Sequence, residues 1–284
     1  MAEIREQVSS TELDRSRPVL RWHWWREVLI VGAFYGLYTL VRDIRGDQPV
    51  SVFRAFHNAE RIIGLEKDLG IYHERRIQQW FLGNHSFIRF LDDYYGTAHF
   101  IAAIAVLLLL FFFFPVHYRL WRNTLALTNL IALLGFSLFP LMPPRLLPHS
   151  YGFVDTLKEF GGLWSFSSGA VNEVSNQYAA MPSLHTAWAL WCAFALVEVI
   201  RPWWGKVLVF LHPLITVFCI VITANHFFVD EIAGVLVLAV AYVLARMLTL
   251  SLDRYYNRKD LAALETVASA WEAPDERCGP RAGG

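Results

Sequence analysis

The sequence predicts an all-α, polytopic membrane protein: a bundle of six transmembrane helices with an amphipathic, interfacial helical loop between the first and the second. Three observations carry that expectation. Of 284 residues, 55% are apolar and 18% charged, against about a quarter charged in a soluble domain. Several runs between charges reach the ~20 apolar residues a spanning helix needs. Histidines stand at the mouths of two such runs, in Ala180-Met181-Pro182-Ser183-Leu184-His185 and Asn225-His226-Phe227-Phe228-Val229-Asp230. An ionisable side chain there is costly and marks a functional site by default.

The chain reads as one membrane domain, 27–250, flanked by cytoplasmic tails at 1–26 and 251–284, the second expected to be largely disordered. The first tail mixes Arg5, Arg15, Arg17 and Arg21 with acids and holds no apolar stretch, so no cleaved signal peptide is expected. A net formal charge of zero gives no electrostatic case for nucleic acid. Cys192 and Cys219 lie inside apolar runs as small hydrophobes. With Cys278 they make neither a disulfide framework nor a zinc spacing.

The spans follow in order. The first, 28–41, comes after Trp22, Trp24 and Trp25, which suit an interfacial belt. The next four, at 94–118, 123–144, 174–197 and 207–229, are long between charges. The last, 232–245, extends on both sides if Arg246 reaches to the interface. In the first long loop, 43–85, Val52, Phe56 and Ile63, then Ile77, Trp80 and Phe81, recur at near-helical spacing among Arg and Glu. That pattern reads as one or two interfacial helices; the alternative is a small soluble cap packed on itself. The second loop, 145–176, is rich in Gly and Ser, follows Pro143-Pro144, and reads as a lid. Most of the basic residues, including Arg119, Arg122, Arg201 and Lys206, fall on the side of both tails, which makes that side cytoplasmic. The first long loop, with many basic residues on the opposite side, is the main observation against this orientation.

Counting sides then brings the polar residues together. Arg145 ends the third span, His185 begins the fourth, His226 ends the fifth and Asp230 begins the sixth, so all four share the extracytoplasmic face with His99. His226 and Asp230, four apart, would lie one turn apart on one helix face. A carboxylate on one imidazole nitrogen fixes the tautomer and leaves the other nitrogen as nucleophile. The Ser183-Leu184-His185 amides open a helix, and a helix N-terminus binds phosphate. Arg145 adds a planar fork for phosphate oxygens, and His185 can protonate a leaving alkoxide. The set reads as metal-free phosphoryl transfer through a phosphohistidine.

Duller readings stand beside these. A lone histidine in a membrane helix is more often a helix–helix hydrogen-bond partner, and His99 is open to both roles. His57, His73, His85 and His149 read as loop-surface residues, and His117 and His212 as residues near the inner face. Histidine and aspartate also ligate metals, but there is no His-Glu-x-x-His and no nearby cysteine pair, so neither metal nor cofactor is expected.

At these residues the sequence resembles the type 2 phosphatidic acid phosphatase superfamily. Its pattern runs Lys-x6-Arg-Pro, Pro-Ser-Gly-His, then Ser-Arg-x5-His-x3-Asp. Pro182-Ser183-Leu184-His185 matches the second part with Leu184 for glycine, His226 and Asp230 match the end of the third, and Arg145 resembles the arginine of the first. The resemblance implies a nucleophilic His226, oriented by Asp230, with His185 as acid and base. The superfamily's lysine would fall at Leu138 and its third-motif arginine at Ile220, so two cations are missing. Tyr178, Asn176, Asn225 or His99 are candidate phosphate donors in their place. The Pro-Ser-Leu-His variant, Pro143-Pro144-Arg145 and Tyr94-Tyr95-x3-His99-Phe100 are similar to the inositol phosphorylceramide synthase branch.

The expected activity is therefore transfer of a phospholipid headgroup to a lipid hydroxyl. Alternatives are hydrolysis of a lipid phosphate such as phosphatidic acid or polyprenyl phosphate, a proton-relaying transporter, and a non-catalytic lipid-binding protein on the same fold. Expected partners are phospholipid or other lipid phosphate substrates and the bilayer, with no nucleic acid; the oligomeric state is open.

Overall fold

The computed structural model describes residues 51–161 and 178–272, with side chains through 255 apart from Asp253, and the single positions Trp25, Leu29, Gly32 and Gly36. Those four positions are helical, and the rest of the first expected span lies outside the described residues.

The described part of the loop expected at 43–85, from Ser51 on, holds two helices, α1 (Val52–Asp68) and α2 (Glu74–Phe81). Ser51 caps α1, its side chain accepting from the Arg54 amide at 3.3 Å. The inner face of α1 buries Ala55, Ala59, Ile62 and Ile63 in a cluster with Leu141, Met142, Leu147, Phe153, Ala180, Ala224 and Phe227. Arg54 and Asn58 tie it down further, each donating at 2.8 Å, to the carbonyls of Leu138 and Pro140. The pair therefore packs on the end of the bundle rather than on itself. Val52, Phe53 and Trp80 remain exposed on its outer side.

Next come α3 (His85–Phe113) and α4 (Pro115–Leu138). Both start earlier than the charge-free runs predict. The Asn84 side chain caps α3 by accepting from the Phe87 amide at 3.1 Å, and the first turns carry charges that the sequence reading takes as boundaries. Asp92 is buried, and Arg89 reaches the Phe160 carbonyl at 2.8 Å. The break between α3 and α4 falls at Phe114, which leaves the helical region (φ −136°, ψ 58°) ahead of Pro115. Short 3-10 turns at Pro144–Leu146 and His149–Tyr151 and a one-turn helix, α5 (Thr156–Glu159), follow.

The remaining elements are α6 (Leu184–Val197), α7 (Trp203–Val209), α8 (Leu211–Ile222) and α9 (Phe228–Glu272). The fifth span thus begins at Trp203, bends at Phe210, and stops at Ile222 rather than running to 229. The final helix runs on to Glu272, through part of the tail for which the sequence reading expects disorder. Leu261-Ala262-Ala263-Leu264-Glu265 are all strong helix formers, which accounts for the difference.

α6 is the central helix, in contact with α3, α4, α7, α8 and α9. Its sequence explains why: Ala187, Ala189, Ala193 and Ala195 are buried, and small residues let helix backbones approach closely in a membrane. Trp191 fills the remaining space and donates to the Trp121 carbonyl at 2.8 Å. The outer faces are apolar, with Phe100, Ile101, Ile104, Leu108, Phe112, Leu214, Phe218, Leu236, Val240 and Leu244 exposed. Apolar area on that scale needs a lipid solvent. Among the described residues, His85–Phe113, Trp203–Ile222 and Phe228–Leu252 are long and apolar enough to cross a membrane, and Leu184–Val197 is a shorter apolar helix.

Candidate active site

Two loops and two helix N-termini build the site. His226 lies in the turn between α8 and α9, not on a helix as its spacing to Asp230 suggests. The helix starts two residues later because Asp230, in its first turn, reaches back: its Oδ2 accepts from the Phe227 amide at 3.0 Å. The same Oδ2 stands 3.5 Å from His226 Nδ1. That is long for a hydrogen bond. His226 is 4% and Asp230 0% exposed, so the contact is dry.

The partner loop is the turn Met181-Pro182-Ser183, which opens α6. Ser183 caps the helix, its Oγ accepting from the Thr186 amide at 3.4 Å. Its own amide donates to the Asp230 carbonyl at 3.0 Å, so that amide is spent on α9 and not on a ligand. The Leu184 and His185 amides occupy the first turn, where a helix supplies no acceptor. Two glycines allow this nesting. A Cβ on Gly234 would stand 2.4 Å from the Ser183 carbonyl oxygen, and one on Gly135 2.6 Å from Pro182 Cδ. Thr186 Oγ1 also donates to the buried Glu231 carboxylate, locking α6 to α9.

His185 is thereby brought to His226, with ring centroids 5.6 Å apart. Tyr95 stacks on its other face at 4.2 Å, and His99 meets it edge-on at 4.3 Å. The His99 Nδ1–H donates to the Tyr95 carbonyl at 3.0 Å, leaving Nε2 as the basic nitrogen. Tyr94, Tyr95, His99, His185, Thr216, Cys219 and Ile220 line one crevice. Ile220, where a superfamily arginine would stand, is part of its wall. His212 lies in the bundle rather than at an inner surface, with its Nδ1 2.8 Å from Tyr94 Oη.

Arg145 sits in the first 3-10 turn, its amide donating to the Ala224 carbonyl at 2.9 Å. Its Nε donates to Asn225 Oδ1 at 2.9 Å, and its Nη1 to Asp155 at 3.2 and 3.3 Å. Asn225 Nδ2 in turn donates to Thr223 Oγ1 at 2.7 Å. Asn225 is therefore a holder of the arginine beside His226. Tyr178 packs against the cluster under α1. Asn176 and the Gly/Ser-rich stretch 162–177 lie outside the described residues. The preceding half of that loop is pinned: Val154 exchanges two hydrogen bonds with the Gln78 side chain at 2.9 and 3.0 Å, and Thr156 donates to Asp92 at 2.9 Å.

Sequence reasoning missed Gly135, Gly234, Asp155 and Glu231. Glu231 carried a readable signal, an acid entering an apolar run; the others are visible only once the helices cross. Among the described residues no group of three or more His, Cys, Asp or Glu is arranged to hold a metal ion.

A search of curated proteins and of solved structures found no significant match. A family model described as the PAP2 superfamily, the phosphatase and phosphotransferase family of membrane proteins, matches residues 60–244. That stretch holds α2 through the first part of α9 and with them Arg145, His185, His226 and Asp230, and the chain belongs to the PAP2 superfamily.

Proposed function

We propose that the chain is a lipid phosphotransferase that works through a phosphohistidine on the extracytoplasmic face, moving a phospholipid headgroup onto a lipid hydroxyl. The observation that carries this reading is the pairing of His226, backed by Asp230, with His185 at 5.6 Å between ring centroids. Asp230 holds the proton on His226 Nδ1, so Nε2 attacks phosphorus. The bond from phosphorus to the diacylglycerol oxygen breaks, and His185 gives that oxygen its proton. The acceptor hydroxyl then loses its proton to His185 and attacks phosphorus, and the bond to His226 breaks. Arg145 and the Leu184 and His185 amides stabilise the non-bridging oxygens.

Transfer from a phosphodiester is favoured over hydrolysis of a monoester by the charge around Arg145. Its Nη1 is shared with Asp155, and Leu138 and Ile220 occupy the positions of two superfamily cations. A diester carries one negative charge, a monoester nearly two. Similarity to the inositol phosphorylceramide synthase branch agrees with this charge argument. Membership of the superfamily itself favours the second reading, hydrolysis of a lipid phosphate. The test of the covalent step is rapid quenching with a headgroup-labelled donor. Protein-bound label that is stable to base and labile to acid, and absent in His226→Ala, supports it; no such label at any quench time contradicts it.

A further inference from the structure

The helices of the first loop reach the nucleophile through two buried acids. Glu66, in the last turn of α1, and Glu74, at the start of α2, are both 0% exposed. Glu74 Oε1 accepts from the Phe228 amide at 3.1 Å, and Glu66 Oε1 from the Val229 amide at 2.9 Å. These are the first residues of α9, whose amides have no intrahelical acceptor. With Asp230 on the Phe227 amide, three carboxylates take three successive amides directly after His226. The positive end of the helix dipole favours negative charge there.

The second oxygens show how two of these acids coexist. Glu66 Oε2 and Glu74 Oε2 are both buried without a donor, and the two carboxyl groups accept from adjacent amides, which brings them side by side. Two ionised carboxylates in such contact repel strongly. One proton between the two free oxygens satisfies both and removes one charge.

We propose that Glu66 and Glu74 share a single proton and act as a positioning pair, holding the N-terminal amides of α9 so that His226 faces Asp230. The kinetic consequence rests on the phosphohistidine reading; the shared proton does not. The groups facing Glu66 are Glu74 from α2 and Asp230 from α9, and Tyr72 stands on the intervening turn with Arg75 acting on it. Burial, then the contact with Glu74, pushes the Glu66 carboxyl up to about 9. Because that value lies above the ordinary 4.5, the stabilisation is complete below 4.5 and is lost as pH rises towards about 9.

Glu66→Gln tests this cleanly, since its amide can accept from Val229 and donate permanently to Glu74. Infrared pH titration of the purified full-length protein should show a protonated-carboxyl carbonyl band that vanishes as pH passes about 9, and Glu66→Gln should lack that band. In turnover, wild type should lose about tenfold in kcat per pH unit on this alkaline limb, and Glu66→Gln should not show the limb. Glu66→Ala should lose kcat at near-constant KM, as misplacement of a nucleophile does. An identical infrared titration in wild type and Glu66→Gln overturns the shared proton, whether or not any activity is found. An unchanged alkaline limb in Glu66→Gln, with the band gone, overturns the positioning role.

Discussion

His226 and Asp230 show, at the scale of single residues, why the sequence alone marks this site. A histidine and an aspartate are too costly at the edge of apolar runs to be there for packing alone, and the same cost marks His185. What the sequence does not show is the direction of each side chain. Asn225 reads as a phosphate donor, yet its oxygen holds Arg145 Nε at 2.9 Å. Removing the acceptor frees the guanidinium, so Asn225→Ala should raise KM for a lipid phosphate about tenfold, the worth of one charge-assisted hydrogen bond, with a smaller effect on kcat. Equal losses in both constants would show that Asn225 does more than hold the arginine. His226→Ala should abolish turnover. Asp230→Asn should lower kcat by about a hundredfold or more while the protein stays folded, because the tautomer is no longer fixed. Circular dichroism beside steady-state kinetics separates that result from unfolding.

The helices themselves are legible in the sequence where length and apolarity alone decide them. Their ends are not, because ends depend on caps and partners. Charges at Arg89 and Asp92 read as boundaries, but inside α3 Arg89 donates to the Phe160 carbonyl and Asp92 Oδ1 accepts from the Thr156 hydroxyl. Asp230 starts α9 late by taking the Phe227 amide, which is why His226 sits in a turn. The α6–α9 crossing depends on Gly234, where a Cβ would meet a carbonyl oxygen at 2.4 Å. Gly234→Ala should therefore cost about 1–3 kcal/mol by overpacking and should also displace Ser183 from Asp230. A thermal shift without loss of activity would mean that the crossing does not set the site. The same substitution at Gly64, where nothing lies within 4 Å, is the control.

At the scale of the whole molecule the fold class is legible because bilayer thickness is a strong constraint, and the outward apolar faces of α3, α8 and α9 agree with it. The packing of α1 and α2 on the site is less so, since amphipathic spacing identifies a buried face but not its partner. The extracytoplasmic placement of the site is our proposal from the distribution of basic residues. Single cysteines introduced at 149–160 should react with an impermeant thiol reagent on intact cells, and those at 201–206 should not; the reverse pattern would invert the orientation. The central claim is transfer of a headgroup between lipids at His185 and His226. The sharpest measurement gives the purified protein phosphatidylinositol labelled in its headgroup, with a mixed lipid extract, and separates the products by chromatography. Headgroup transfer predicts label in a new lipid, unaffected by chelators and absent with His185→Ala or His226→Ala. Label released only as water-soluble phosphate, or a preference for phosphatidic acid over diesters, would contradict it.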